Sequence, residues 1–340
     1  MGKVLVTGGM GFIGSHTVVE LLEDGQEVVI ADNLSNSKID TLGKIEKITG
    51  KMPEFIQIDV SKERQVDQLF SAHTFSSVIH FASFKSVSES ILKPIEYYQN
   101  NLNSILNVVA QMLKHNVATL IFSSSATVYG SPCELPLKET SKTGEGLTNP
   151  YGRTKYMIEQ VLEDISVVNP QLSITLLRYF NPIGAHESGL IGESPNDIPN
   201  NLMPHLTKAA SGESGKLSVF GADYETADGT CIRDFIHVVD LAKGHLQALA
   251  QKEKGVSIYN LGTGKGVSVL ELIHAFESAT DVVVPYEVSL RRPGDIVVSY
   301  ANVDKAREKL GWVSQKTLEE ACRDAWRFQL NEKKESESLK

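Results

Sequence analysis

The chain has 340 residues, of which 41% are hydrophobic and 22% are charged, so an intrinsically disordered chain and an integral membrane protein are both disfavoured. The length allows two domains, or one large domain with an appendage. Lys and Arg number 33 against 42 Asp and Glu, and this net charge of -9, without a basic cluster, argues against a nucleic acid or an anionic membrane surface as a partner.

Short β-branched segments alternate with longer amphipathic segments through the first half of the chain. The short segments are apolar on both faces, as parallel strands are when helices cover both sides of their sheet. The predicted strands are Val4–Thr7, Val28–Ala31, Phe55–Ile58, Val78–His80, Leu120–Phe122 and Ile174–Leu177. The predicted helices between them are Phe12–Glu23, Val66–Ser71, Ile95–Lys114 and Tyr151–Asn169. This alternation indicates βαβ units in a parallel sheet.

The sequence changes character after Asn181, because Pro, Gly and Asn accumulate in Asn181–Met203 and predict long loops that can carry binding residues. A helix near Val238–Ala250 and a strand near Ser257–Leu261 then resemble the first half, so we predict that the chain returns to the main sheet. The first domain is predicted as 1–180 with 236–262, and the second as 181–235 with 263–330. Residues 331–340 are predicted to form a charged, frayed tail. The expected fold class is α/β, a doubly wound, Rossmann-like parallel sheet with a smaller, interleaved α/β domain.

The cysteines and histidines predict neither a disulfide framework nor a metal site. Cys133, Cys231 and Cys322 are odd in number and far apart, which fits a reducing compartment. The nine histidines form no H-x-x-x-H or H-E-x-x-H arrangement. No stretch has the roughly 18 apolar residues of a membrane span, and the N-terminus has no signal-peptide run. We therefore expect a cytoplasmic protein without a membrane partner.

A glycine-rich turn lies between the first predicted strand and the first predicted helix. Gly8, Gly11 and Gly14 have the spacing G-x-x-G-x-x-G, and residues without Cβ atoms let the backbone turn tightly and approach a pyrophosphate at a helix N-terminus. Asp32 ends the second predicted strand, where a carboxylate can accept hydrogen bonds from both ribose hydroxyls of NAD and would repel a 2′-phosphate. No Arg stands beside Asp32, so NAD is favoured over NADP. Asp59, after the third strand, is a weaker candidate for the adenine end.

Tyr151 and Lys155 form a Y-x-x-x-K motif on a predicted helix, so the phenol and the ammonium lie on one face. The cation is expected to lower the phenol pKa towards working pH, which would make Tyr151 a general base towards a hydroxyl whose carbon gives up hydride. The cluster Ser123–Ser125 follows the strand Leu120–Phe122, at the sheet edge where doubly wound folds bind ligands. Its hydroxyls could bridge a substrate oxygen and Tyr151.

Several motifs in chain order make a family resemblance specific. TGGMGFIG, FSSSATVYG, PYGRTK and LRYFNPIGAH resemble the extended short-chain dehydrogenase/reductases, and more narrowly the UDP-glucose/UDP-galactose 4-epimerases. IPNNLMP, RDFIHVVDLA, YNLGTG and RRPGD continue the resemblance over nearly the whole chain. The resemblance implies an NAD that is tightly bound and not consumed, and a UDP-sugar substrate. Tyr151 would take the proton of the sugar 4-OH, hydride would leave C4, and the 4-keto sugar would rotate and regain hydride on its other face.

The resemblance also implies roles for individual residues. Ser125 matches the catalytic serine, and Lys155 would hold Tyr151 and the cofactor ribose. The NAD site would be lined by Gly8, Gly11, Phe12, Ile13, Asp32, Asn33, Asp59, Val60, Phe81, Ala82, Lys85, Asn100, Ser123, Tyr151, Lys155 and Tyr179. The UDP-sugar would be held by Asn181, Asn201, Leu202, Val219, Phe220, Arg233, Arg292 and Asp295. Arg233 and Arg292 would contact the diphosphate, for which a guanidinium's planar donor fork is suited.

Some positions depart from the family pattern or leave alternatives open. Ser83 stands where Gly is usual after Phe-Ala, and Ser299 is small where a bulky residue often closes the sugar pocket. The small residue suggests that UDP-GlcNAc and UDP-GalNAc are also substrates, unless Tyr300 fills the space. The alternatives are another nucleotide-sugar enzyme, namely a dehydratase or a uronate epimerase, or a non-catalytic NAD-binding regulator. Ala126 and Thr127 replace the acid pair that a dehydratase needs, and a homodimer through two helices is implied by the resemblance alone.

Overall fold

The computed structural model describes residues 2–131, 134–196, 199, 201–292 and 294–338. Cys133 and part of the predicted long loops lie outside the described residues. Strands and helices alternate through the first half: β1 (Lys3–Thr7), α1 (Phe12–Glu23), β2 (Val28–Asp32), α2 (Thr41–Thr49), β3 (Glu54–Gln57), α3 (Glu63–Ala72), β4 (Phe75–His80), α4 (Val87–Leu92), α5 (Pro94–Lys114), β5 (Thr119–Ser125), α6 (Pro150–Val168) and β6 (Ser173–Tyr179).

The second half mixes short strands with four helices in the described residues. In chain order these are β7 (Asn181–Ile183), α7 (Leu202–Ala210), β8 (Leu217–Phe220), β9 (Ile232–Arg233), β10 (Phe235–His237), α8 (Val238–Ala250), β11 (Gly255–Leu261), β12 (Val267–Ser268), α9 (Val269–Thr280), β13 (Tyr286–Ser289), β14 (Val298–Ser299) and α10 (Leu318–Ser338). A 3₁₀ turn at Ala126–Tyr129 follows β5, and a π-helical turn at Ala306–Leu310 precedes α10.

A seven-stranded parallel sheet organises the described part of the chain, and its strand order is β11-β6-β5-β4-β1-β2-β3. Its two faces bury separate cores, one under α1 and α8 and the other under α3, α5 and α6. This is the predicted doubly wound α/β fold. The order of strands reverses between β1 and β4, and the crevice at such a reversal is where open α/β sheets bind ligands.

The chain leaves the main sheet after β6 and returns to it with α8 and β11. Strand β11 pairs in register with β6, and α8 packs beside α1. The remaining second-half strands form small sheets around a third core, which contains Leu206, Phe235 and Phe276. Phe235 and the neighbouring Ile236 are buried where the two regions meet. The polypeptide therefore passes between a large sheet and a smaller α/β unit more than once.

The prediction of a frayed tail is wrong for residues 331–338, because α10 continues as helix to Ser338. Contacts with distant parts of the chain hold this last stretch in place. Lys333 Nζ donates to the carbonyl of Ser211 at 3.0 Å, and Glu335 accepts from Lys44 at 3.0 Å. The sequence of this stretch shows only a run of charges, but in the structure Glu332 and Glu335 pair with Lys38 and Lys44, which are distant in the chain. None of the helices in the described residues is both long and apolar enough to cross a bilayer.

Candidate active site

A cavity of about 870 Å³ opens at the carboxyl edge of the main sheet, over the reversal between β1 and β4. All sixteen residues predicted to line the NAD site line this one cavity: Gly8, Gly11, Phe12, Ile13, Asp32, Asn33, Asp59, Val60, Phe81, Ala82, Lys85, Asn100, Ser123, Tyr151, Lys155 and Tyr179. They lie at or near the ends of all six strands from β1 to β6 or on the helices α1, α5 and α6. Only the folded sheet brings these distant segments together. Met10, Ser37, Ser83 and Glu193 also line it, and the sequence did not predict them there.

The glycine turn after β1 has a shape that side chains would destroy. Gly8 has φ +70°, a left-handed conformation that favours glycine, and a Cβ on Gly14 would lie 2.3 Å from the Gly8 carbonyl oxygen. Helix α1 begins at Phe12, and its N-cap Gly11 offers no side chain to the first amide groups. These N–H groups therefore remain free for an anion, as pyrophosphate binding requires.

Asp32 presents a carboxylate to the cavity at the end of β2. It accepts hydrogen bonds from the amides of Met10 at 3.0 Å and Leu34 at 2.9 Å and from the hydroxyl of Ser37 at 3.0 Å. A carboxylate has about four acceptor positions, so one remains for a ribose hydroxyl, and the three protein donors fix its orientation. A dinucleotide without a 2′-phosphate fits these residues, whose glycine turn and buried acid have the chemistry of an NAD site.

Tyr151 and Lys155 lie one turn apart at the start of α6, as the i, i+4 spacing predicts. The Asn149 side chain caps the helix by accepting from the amide of Gly152 at 2.8 Å. This cap sets the start of α6 and so the position of Tyr151 in its first turn. Lys155 is only 2% exposed, and its Nζ donates to the Ser123 carbonyl at 2.7 Å and to Ser83 Oγ at 3.0 Å. Two of the three ammonium N–H groups therefore donate to protein acceptors, and the third can donate to a ligand in the cavity.

The expected effect of Lys155 on the phenol is not what the structure shows. Burial raises the pKa of Tyr151, and the hydrogen bond to Ser125 opposes that rise. The ammonium is turned towards Ser123 and Ser83, and its Nζ lies 5.9 Å from the centre of the Tyr151 ring. The hydroxyl of Ser125 is therefore the protein group that favours the phenolate, which agrees with its predicted place beside Tyr151.

Burial also lowers the pKa of Lys155 from 10.5 to about 7, although Glu159 acts in the opposite direction. Between those two values the folded chain binds fewer protons at this site than the unfolded chain, so stability should rise with pH across the window. We expect nucleotide-free protein to gain more stability from pH 7 to pH 9.5 than the Lys155→Met variant does, measured by urea unfolding. Parallel pH dependences for the two proteins would contradict the assignment.

A buried ion pair lies between α6 and the main sheet. Arg178 on β6 and Glu159 on α6 are 3% and 1% exposed, and two nitrogens of the guanidinium donate to the two carboxylate oxygens at 3.0 and 2.7 Å. Ser124 donates to Glu159 at 2.5 Å, so the pair also holds the serine cluster. Arg178 further contacts Tyr129, whose hydroxyl donates to Asn260 on β11 at 2.6 Å. This network ties three strands and α6 together directly behind Ser123, Ser125 and Lys155.

Residues predicted to hold the UDP-sugar fall in two groups on the second-half elements. Asp295 lies 3.7 Å from Arg233 and 3.2 Å from Arg292, and the Arg292 guanidinium is 4.6 Å from the centre of the Phe220 ring. Asn181 begins β7, and Asn201 and Leu202 open α7 beside the cavity wall. Ser299 pairs in register with Arg233.

Val219 does not present its side chain to a ligand. It is 1% exposed and packs in the core formed by α7, α9 and β8, so only its backbone is available. Asp234 has a structural role at this site that the sequence did not predict. Its buried carboxylate accepts from the amides of Thr263, Gly264 and Ala301. It therefore fixes the strand that carries Ser299 against the strand that carries Arg233. The described residues contain no cluster of acidic, histidine and cysteine side chains able to hold a metal ion.

Comparisons with known proteins agree over nearly the full length. A family model described as the NAD dependent epimerase/dehydratase family matches residues 4–262. The chain is 52% identical over 328 residues to a UDP-glucose 4-epimerase of Pasteurella multocida (strain Pm70), covering 96% of this chain and 97% of the relative. A UDP-glucose 4-epimerase of Mus musculus is 50% identical over 337 residues, with 97% of each chain covered.

Solved structures give the same result. The crystal structure of a UDP-glucose 4-epimerase from Bifidobacterium longum in complex with NAD+ and UDP superposes with a TM-score of 0.94 at 50% identity, covering 97% of this chain and 98% of that one. A UDP-glucose-4-epimerase from Stenotrophomonas maltophila, with bound NAD and formylated UDP-arabinopyranose, gives a TM-score of 0.94 at 44% identity over 98% and 100% of the two chains.

Proposed function

The chain belongs to the NAD dependent epimerase/dehydratase family, and on this premise we propose that it interconverts UDP-galactose and UDP-glucose through a transient 4-keto sugar. The observation that carries the proposal is that Tyr151 and Lys155 lie at the wall of a cavity that fits NAD, with the Ser125 hydroxyl beside the Tyr151 phenol. NAD held in this cavity by residues such as Gly8 and Asp32 would supply a hydride acceptor and donor for C4 of the sugar, and it would not be consumed.

The chain's own residues perform the proton transfer and hold the sugar nucleotide. Tyr151 takes the proton of the 4-OH as the C4 hydride leaves, and it returns the proton when hydride adds to the opposite face. Ser125 bridges the sugar oxygen and the phenol and favours the phenolate. The keto sugar must turn without escaping, so binding energy has to come from the UDP part, for which Arg233, Arg292 and Asp295 are assigned.

A direct assay tests the proposal. Purified protein, incubated with UDP-galactose without added NAD, should convert it to UDP-glucose, because a retained cofactor returns its hydride in every cycle. The product can be resolved by proton NMR. No conversion with or without added NAD would reject the activity, whereas conversion only with added NAD would reject tight retention. A dehydratase is disfavoured because Ala126 and Thr127 cannot perform acid–base chemistry, and a silent regulator because Tyr151 and Lys155 are both present.

We further propose that UDP-GlcNAc and UDP-GalNAc are substrates, because the small Ser299 stands opposite Arg233 in the strand register. The Tyr300 ring lies against Gly266. The Ser299→Tyr variant should lose N-acetyl turnover by about a hundredfold in kcat/KM while UDP-galactose turnover stays within a few-fold. Ser299→Ala, which stays small, should keep both activities. Absence of N-acetyl turnover in the unmodified protein would refute the idea.

We also propose a homodimer in a reducing, cytoplasmic compartment. Apolar side chains are exposed on α4, α5 and α6, where Ile91 is 55%, Ile95 70% and Met157 44% exposed. Packing of α5 and α6 against the same helices of a second copy would bury such a surface. Cys231 and Cys322 are both buried and free, which fits a reducing environment.

A further inference from the structure

Glu193 lies in the connection between β7 and α7, at the wall of the cofactor cavity. Its side chain is only 7% exposed, which is unusual for a carboxylate. One oxygen, Oε1, accepts from Lys85 Nζ at 2.8 Å and from Asn201 Nδ2 at 2.7 Å. Lys85 is one of the residues that the resemblance places at NAD, where its ammonium suits the cofactor phosphates, and Asn201 is one of those it places at the UDP-sugar. A single buried atom therefore contacts a residue of each binding site.

The second oxygen, Oε2, is buried and has no hydrogen-bond partner among the described residues. A buried charged acceptor without a partner is costly, so it is a ready acceptor for a donor that a ligand brings into the cavity. Asn201 contributes to the same arrangement. It occupies the N-cap of α7, where an Asn side chain normally accepts from the helix amides, but here it makes no cap and turns to Glu193.

The segment around Glu193 is fastened at the other rim of the cavity as well. Ser194 Oγ accepts from Lys38 at 2.8 Å, and the Asn196 side chain donates to the Ser37 carbonyl at 3.2 Å. Both partners follow Asp32, on the ribose side of the cavity. Glu193 to Asn196 therefore cross from the phosphate rim to the ribose rim.

We propose that Glu193 is a positioning residue that couples the binding of NAD to the binding of the UDP-sugar. It holds the Lys85 ammonium near the cofactor phosphates and the Asn201 amide near the sugar nucleotide. A ligand that fixes one of these side chains therefore also fixes Glu193 and, through it, the other side chain. The inference rests on the proposed function for the roles of Lys85 and Asn201. Coupling of this kind is reciprocal: if NAD strengthens UDP binding, UDP slows NAD loss by the same free energy.

The test uses purified holoenzyme and UDP as the probe. NAD retained per chain is followed during dialysis, with and without saturating UDP, and the Kd of UDP is measured by calorimetry. In the unmodified protein, UDP should slow NAD loss. In Glu193→Gln, NAD loss should be about tenfold faster, the UDP Kd about tenfold weaker, and the protective effect of UDP largely absent, because the negative charge that strengthens the hydrogen bonds to both partners is removed.

Glu187→Gln is the matched control, because it makes the same charge change in the same connection at an exposed side chain. It should behave as the unmodified protein in all three measurements. Glu193→Ala, checked by thermal unfolding, should repeat the effects of Glu193→Gln and so exclude a residual amide contact. A double-mutant cycle of Glu193→Gln with Asn201→Ala should be non-additive in the UDP Kd.

The outcomes separate this inference from the proposed function. Loss of NAD retention with an unchanged UDP Kd, or undiminished protection by UDP in Glu193→Gln, would overturn the coupling. So would equal effects of Glu187→Gln and Glu193→Gln. Failure of the unmodified protein to bind UDP or to epimerise UDP-galactose would instead overturn the proposed function, and that result is obtained before any variant is made.

Discussion

Replacing Tyr151 with phenylalanine is expected to lower kcat for UDP-galactose by about a thousandfold, the effect typical of losing a general acid–base group. The ring and its packing remain, so NAD should stay bound and the fold should not change. Only the phenol oxygen, which Ser125 contacts, is removed. The measurement is kcat at saturating substrate together with the NAD content of the denatured protein.

Tyr156 provides the matched control for this variant. It lies on the same helix five residues further along, on a different face, with its ring against Gly144 and outside the cavity lining. Tyr156→Phe should therefore retain kcat within a few-fold. If Tyr151→Phe keeps full turnover, another group must take the sugar proton. If it loses NAD as well as activity, the phenol is required for cofactor binding and its catalytic role is not isolated.

The residues that could be predicted from sequence are those whose relation is local. Gly8, Gly11 and Gly14 act within one turn of backbone, and Tyr151 and Lys155 are fixed by the helical repeat. The doubly wound fold follows from the alternation of apolar strands with amphipathic helices, and the seven-stranded parallel sheet confirms it. Such patterns depend on few neighbours, so a single sequence contains them.

What the sequence did not predict depends on contacts between distant segments. Glu193 meets Lys85 across 108 positions, and Lys44 meets Glu335 across 291, so neither pair has a local signal. Strand β5 continues to Ser125, beyond the predicted end at Phe122, because β6 pairs with it that far. The predicted influence of Lys155 on Tyr151 required knowing where the ammonium points, and that is set by Ser83 and Ser123.

The buried ion pair of Glu159 and Arg178 is another contact that the sequence did not predict, and we expect it to contribute more to the stability of the fold. Neither residue was given a role from the sequence, although Arg178 lies in the motif LRYFNPIGAH, yet the pair supports the strand end that carries Ser125, the proposed catalytic serine. Two desolvated charges stabilise each other only while both are present, and removing one leaves the other buried and unpaired. Within the described part of the chain, Arg178 would then keep only its hydrogen bonds to Tyr129 and the Glu139 carbonyl, and Ser124 would lose its acceptor.

Glu159→Ala is therefore expected to destabilise the protein by about 3–5 kcal/mol, measured by urea unfolding. Asp164→Ala, an exposed acid on the same helix, should change stability by less than about 0.5 kcal/mol. The double variant Glu159→Met with Arg178→Met should recover much of the loss, because neither charge is then left unpaired. Its kcat should nevertheless remain lower than that of the unmodified protein, because Ser124 loses its hydrogen bond to Glu159 and no longer holds Ser123 and Ser125 in place. A Glu159→Ala variant as stable as the Asp164→Ala control would show that water or local rearrangement solvates Arg178, and the pair would then have no structural role in the site.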